Sequence, residues 1–161
     1  MVLIATVQQL QLLCDRAEAT YPEECCGLLL GTISGEIKTV REVVPTENSW
    51  DGDAAAAFGE ALGLSARATG KERSFAIAPQ ILLQVQKQAR DRHLNIIGIY
   101  HSHPDAPAIP SQFDRAIAWP QYSYPIISVL AGKAENLFSW TLDNEGNFQA
   151  EAIHINVVLE R

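Results

Sequence analysis

The run Leu94-Asn95-Ile96-Ile97-Gly98-Ile99-Tyr100 leads without a break into His101-Ser102-His103-Pro104, and this junction constrains the chain more than any other feature. The run is apolar and rich in branched residues, so it reads as a buried strand. Side chains alternate between the faces of a strand, so His101 and His103 leave its C-terminal end on the same side. Pro104, Pro107 and Pro110 then halt the strand and keep the following chain extended. Ser111-Gln112-Phe113-Asp114 reads as a helix start, with serine at the cap and an acid three residues later. That spacing sets Asp114 beside Ser111 and lets its carboxylate reach back toward the histidines. Two neutral imidazoles and one carboxylate suit a catalytic zinc, which keeps a fourth position open for water.

Each of these residues has a plainer reading when taken alone. A single histidine is usually a satisfied surface or core residue, and Ser-x-x-Asp is usually only a cap. The conjunction argues for a site, because the chain holds four histidines and two of them stand one residue apart at this strand end. His93, at the end of a polar helix, and His154, in the last strand, read as structural or solvated. A zinc hydrolase also needs a base for the attacking water. Glu23 and Glu24 open the apolar run Cys25-Cys26-Gly27-Leu28-Leu29-Leu30, which reads as a core strand. Glu23 reads as a solvated strand end, and the local pattern leaves Glu24 open between that role and a catalytic one.

Glu24-Cys25-Cys26-Gly27-Leu28-Leu29-Leu30-Gly31, taken with His101-Ser102-His103-Pro104, Ser111 and Asp114, resembles the JAMM/MPN+ metalloproteases. Their signature is a glutamate three residues before a glycine, then H-x-H-P, then S-x-x-D, and no element is missing here. The resemblance spans nearly the whole chain and is closest to the short, single-domain prokaryotic type. It implies that His101, His103 and Asp114 bind Zn²⁺. Glu24 would then serve as general base and later as acid toward the leaving amine, and Ser111 would donate to the oxyanion of the tetrahedral intermediate. It also implies a metallopeptidase that cuts a peptide or isopeptide bond at the C-terminal tail of a ubiquitin-like protein of the sulfur-carrier type, supplied in trans. Two rival readings are a non-catalytic MPN scaffold or interaction module, and a zinc hydrolase of a small molecule. A closed structural zinc normally takes four protein ligands, which counts against the first. The H-x-E and P-C-x-x-C pair of zinc deaminases is absent, which counts against the second.

Strand and helix patterns alternate in a mixed order. A strand near 2–6 leads into a helix near 7–20, with Val7, Leu10, Leu13, Cys14 and Ala17 on one stripe. Strands near 25–31 and 36–45 form a hairpin about Ser34-Gly35, and a helix over 79–93 starts at Pro79. After the histidine strand come a helix near 111–118 and strands near 125–131, 136–142 and 147–156, with a turn at Asp143-Asn144-Glu145-Gly146. This order predicts an α/β fold with a curved mixed sheet flanked by helices, layered as in the MPN/JAMM fold and the cytidine deaminases. The length of 161 residues suits one domain over 1–161.

Glu47 to Arg73 breaks the pattern, with Asp51-Gly52-Asp53, alanines at 54–57 and scattered glycines. It reads as an inserted loop, with a short helix expected over 54–66, and as a candidate for holding substrate. Cys14, Cys25 and Cys26 give no disulfide framework, so a reducing cytoplasm is expected and all three read as free thiols. The opening residues lack the basic flank of a signal peptide, and no apolar run is long enough to span a bilayer. A net charge of −7 disfavours nucleic acid, and Lys87, Arg90 and Arg92 read as a solvated helix face. Monomer and homodimer both remain open.

Overall fold

The computed structural model describes residues 1–51, 53 and 70–157. The order is β1 (Val2–Ala5), α1 (Val7–Thr20), β2 (Cys26–Ser34), β3 (Ile37–Thr46), α2 (Pro79–Asp91), β4 (Asn95–Pro104), α3 (Gln112–Ile117), β5 (Tyr124–Leu130), β6 (Lys133–Leu142) and β7 (Phe148–Ile155). The expected elements are present with small shifts at their ends, and β4 runs on through both histidines to Pro104. The helix expected over 54–66 lies outside the described residues.

The sheet is mixed, as anticipated, but it closes on itself. Its strands run β1-β3-β2-β4-β5-β6-β7, and β1 pairs in parallel with both β3 and β7, completing a barrel. The curved mixed sheet flanked by helices that the sequence predicts is therefore refined to a closed, barrel-like one. The local pattern could not show this, because β1 is a four-residue strand whose partners lie 35 and 150 residues away. Closure is through short pairings: β1 covers only Ile37–Thr39 of β3, and β7 covers only Ser139–Leu142 of β6.

Helix α1 is fixed at its start by a capping box. The Thr6 hydroxyl accepts from Gln9 N at 3.1 Å, and Thr6 N donates to Gln9 Oε1 at 2.8 Å. Gln9 Nε2 also donates to Val40 O, tying the helix to β3. Leu13 and Ala17 bury against Leu3, Leu29, Ile97, Tyr100, Ile127 and Val129. Val7, expected on the same stripe, is 57% exposed, so packing begins a turn later. A second cluster joins Val85 and Ala89 of α2 to Leu28 and Leu30 of β2, with Ile96 and Ile99 of β4 against it. Each fully buried Leu or Ile contributes about 1.5–3 kcal/mol relative to exposure. Gly27 is required by this packing, since a Cβ there would meet the Tyr100 ring at 2.4–2.5 Å.

The two clusters lie on opposite faces of β4, and a bulge decides which residue belongs to which. Leu29 pairs with Gly98 while Leu30 pairs with Ile96, so Ile97 is the extra residue. Ile97 and Tyr100 consequently face α1, whereas Ile96 and Ile99 face α2. His101 and His103 follow Ile99 in phase and so emerge on the α2 face.

A polar network is buried elsewhere. Lys38 Nζ donates to Ser123 Oγ at 3.0 Å, Ser123 donates to Glu151 Oε2 at 3.0 Å, and Ser139 donates to Glu151 Oε1 at 2.8 Å. Burial lowers the pKa of Lys38, and the Glu151 charge opposes that shift. The three cysteines are free, with Cys25 and Cys26 buried. Burial pushes both of those thiols up to about 11, so they are protonated at neutral pH. Among the described residues, no helix is long and apolar enough to cross a membrane.

Candidate metal centre

Four groups converge where β2 and β4 meet. Cys26 pairs with His101 across these antiparallel strands, and Ser102 N donates to Cys25 O at 3.1 Å, extending the ladder toward Glu24. Two residues before Cys26, the Glu24 side chain returns to the face that carries His101 and His103. The Ser102 hydroxyl, pointing the other way, accepts from Cys25 N at 2.8 Å and locks the crossing. Glu24, His101 and His103 each offer a ligand atom within 4.8 Å of the others. Glu23, by contrast, stays partly solvated.

Asp114 enters from the first turn of α3. Ser111 caps that helix: its hydroxyl accepts from Asp114 N at 3.1 Å, and its own N–H donates to Asp114 Oδ2 at 2.9 Å. The carboxylate so oriented lies 2.9 Å from His101 Nε2 and 3.0 Å from His103 Nε2. The two Nε2 atoms are 3.1 Å apart. Glu24, His101, His103 and Asp114 are each at most 7% exposed. His93 and His154 are remote from this cluster and exposed, as expected.

The electrostatics follow from burial and crowding. Burial pushes the Glu24 carboxyl up to about 9, and the Asp114 charge adds to the rise. Burial also opposes ionisation of Asp114, but the two imidazoles outweigh it and hold that carboxyl well below its usual range. At His103, burial works against the charged form, while Asp114 and the Pro107 carbonyl together raise the pKa above its ordinary value.

The donor set fits a metal ion. His103 Nδ1 lies 2.8 Å from Pro107 O. A carbonyl can only accept, so that nitrogen carries a proton and the neutral ring turns the Nε2 lone pair toward Asp114. Lone pairs of two imidazoles and a carboxylate at 2.9–3.1 Å repel unless a proton or a metal ion sits among them. Ligand atoms about 2.0–2.1 Å from a tetrahedral zinc stand roughly 3.3 Å from each other, close to the spacing seen here. Glu24 Oε1 is buried with no hydrogen-bond partner among the described residues, as befits a group that meets a species supplied from outside the chain.

Aromatic rings roof the cluster, and the sequence patterns gave no sign of them. Phe75 stacks on His101 with ring centroids 4.6 Å apart and 22° between planes, and it meets Phe113 edge-on at 5.9 Å. Trp50 meets Phe113 edge-on at 5.3 Å. Trp50 lies within the inserted segment over 47–73 and Phe75 just after it, and residues 52 and 54–69 of that segment lie outside the description. Arg92, expected to be solvated, pairs with Glu42 across the surface.

Fold and cluster together define a mixed α/β protein with a carboxylate–histidine centre at a strand end. Comparison with known proteins gives this class its name: the model for prokaryotic homologs of the JAB domain matches residues 6–143, and the chain belongs to that family. It is similar to a desampylase of Haloferax volcanii, 27% identical over 115 residues that cover 71% of this chain and 68% of the relative. Among solved structures it is similar to a protein from Desulfitobacterium hafniense, with 28% identity, a TM-score of 0.74, and coverage of 99% of this chain and 96% of that one. A protein from Salinibacter ruber is similar at 28% identity and a TM-score of 0.65, covering 100% of this chain and 97% of the other.

Proposed function

We propose that this chain is a zinc-dependent peptidase or isopeptidase that acts on the C-terminal tail of a ubiquitin-like protein, of the sulfur-carrier type. The observation that carries the reading is the convergence of His101, His103 and Asp114 beside a buried glutamate with an unpartnered oxygen. Membership of the family and the similarity to a desampylase support hydrolysis of a ubiquitin-like conjugate.

In this reading His101 and His103, through Nε2, and Asp114 hold the metal. Zinc, when bound, supplies a Lewis acid that polarises a carbonyl and lowers the pKa of water from about 16 to about 7. Glu24 accepts a proton from the attacking water and delivers it to the departing amine. The step needs Glu24 ionised: burial alone would keep it protonated up to about pH 9, and a cation held by His101, His103 and Asp114 would offset that burial and free the carboxylate to take a proton. The Ser111 oxygen accepts from Asp114 N, which leaves its hydroxyl proton to donate to the developing oxyanion.

The test compares wild type with Glu24→Gln. Both proteins are analysed for zinc, then incubated with ubiquitin-like proteins bearing C-terminal extensions and followed by intact mass. One zinc in each, with tail loss in wild type alone, is the expected result. Zinc in both with no cleavage across a broad panel would replace this reading with the scaffold.

A further inference from the structure

The two histidines are held in different ways. A metal-bound imidazole normally donates its outer N–H to a carbonyl or carboxylate, which fixes the ring. His103 does this, through Nδ1 and Pro107 O at 2.8 Å. His101 does not: its Nδ1 is buried and no described group lies within hydrogen-bond reach of it. What touches that ring instead is the face of Phe75, nearly parallel at 4.6 Å. A stacked aromatic resists rotation of the imidazole about its χ2, the motion that would carry Nε2 away from the site.

Phe75 is itself held by a side chain that also holds the glutamate. Asn48 Nδ2 donates to Glu24 O and to Ser74 O, each at 3.0 Å. Its Oδ1 accepts from Trp50 N at 3.0 Å and from Ala76 N at 3.2 Å. The full capacity of the amide, two donors and two acceptor lone pairs, is therefore spent on three separate segments. Two carbonyls on one side and two N–H groups on the other also settle which way the amide faces. Ser49 N donates to Ala76 O and Glu24 N donates to Lys71 O, both at 2.8 Å, so 48–50 and 71–76 form a strap bound to the start of β2.

We propose that Phe75 is a positioning residue for His101, and that Asn48 sets Phe75 and Glu24 in register with each other. The strap orients the ligand whose outer nitrogen lacks the partner that His103 has. The proposal rests on the reading of His101 as a zinc ligand, and zinc affinity tests the two separately. Losing the hydrogen-bonded outer partner of a ligand typically costs about 10–100-fold in metal affinity, and at His101 the Phe75 ring stands in that partner's place.

Zinc dissociation constants are measured by chelator competition for wild type, Phe75→Met, Phe75→Tyr and Val85→Ala, with urea midpoints of the metal-free proteins alongside. Met fills similar space without a ring, Tyr restores the ring, and Val85→Ala loosens the α2 core away from the site. The expected result is a roughly 10–100-fold weaker constant for Phe75→Met, with Phe75→Tyr and Val85→Ala close to wild type. Equal affinity for Phe75→Met and wild type, or an equal loss in Val85→Ala, would overturn the positioning role while leaving the metal centre standing. No zinc binding by wild type would overturn the function reading and this one with it. A further readout needs no variant to fold. In NMR spectra of the zinc-loaded wild type, the His101 ring protons should be shifted upfield by the Phe75 ring current, and unshifted protons would refute the stack.

Discussion

Replacing Ser111 by alanine and, separately, by glycine divides two jobs that one side chain performs. Its oxygen caps α3 by accepting from Asp114 N at 3.1 Å, and its proton is free for an oxyanion. Alanine removes both functions. Loss of a serine cap costs about 0.5–2 kcal/mol, whereas glycine at the same position costs only a few tenths. In a protein of this size about 1 kcal/mol lowers the melting temperature by roughly 2–4 °C. Thermal unfolding of the zinc-loaded proteins should therefore show Ser111→Ala a few degrees below wild type and Ser111→Gly close to it. Turnover should not follow stability. Loss of an oxyanion donor costs on the order of 10²–10³ in turnover, and glycine lacks the hydroxyl as completely as alanine does. The Ser111 N–H that orients Asp114 Oδ2 belongs to the backbone and survives in both variants. Both should therefore bind zinc and both should be slow. A Ser111→Gly enzyme within about threefold of wild-type turnover would show that the serine only caps the helix, and the assigned donor would have to be abandoned.

The pH dependence of the metal-free protein should report Glu24. Its carboxyl keeps a proton up to about pH 9 in the native state, but gives it up at the ordinary carboxylate range when unfolded. The native state thus binds more protons between these limits, so stability falls as pH rises from about 4.5 to 9. Urea midpoints at pH 5.5 and 8 should show a drop in metal-free wild type that is reduced in Glu24→Gln, and equal slopes would refute the assignment. Glu151→Leu leaves Lys38 buried without its counter-charge and should cost about 3–5 kcal/mol in urea unfolding, much of it recovered in the double variant with Lys38→Met. A loss below about 1 kcal/mol would mean that water reaches this network. Deleting residues 54–69 while keeping the strap should raise KM for a tailed ubiquitin-like substrate with zinc affinity unchanged, and an unaltered KM would remove that segment from substrate holding.

The centre was legible in sequence because three of its four groups are local. His101 and His103 share a strand face by period, and Asp114 sits in a helix start whose cap is written as Ser-x-x-Asp. Glu24 was harder, since its place depends on pairing between β2 and β4 across 75 residues. The family pattern singled it out, and the ladder explains why Glu23, one residue earlier, points elsewhere. The strands were legible from apolar runs and turns, but barrel closure was not, because it rests on one short strand finding two parallel partners. The Phe75–His101 stack and the Lys38–Ser123–Glu151 chain escaped for the same reason: no local period links residues 26, 85 or 28 positions apart.

The extra residue at Ile97 sets different rules for how this chain can change over time. Upstream of it, β4 keeps time with the core; downstream, it keeps time with the ligands, and the two rhythms are offset by one residue. Substitutions along the strand can weaken or erase a ligand, yet none of them can move the histidine pair to the other side of the sheet. A single-residue deletion at the bulge would not do so either, because Leu30–Ile96, Leu29–Gly98 and Cys26–His101 already pair around Ile97, and its loss leaves a regular ladder with both rings on the α2 face. The bulge therefore gives this strand one residue of slack: it can shorten by one without displacing the centre, at the cost of the Ile97 side chain in the core under α1.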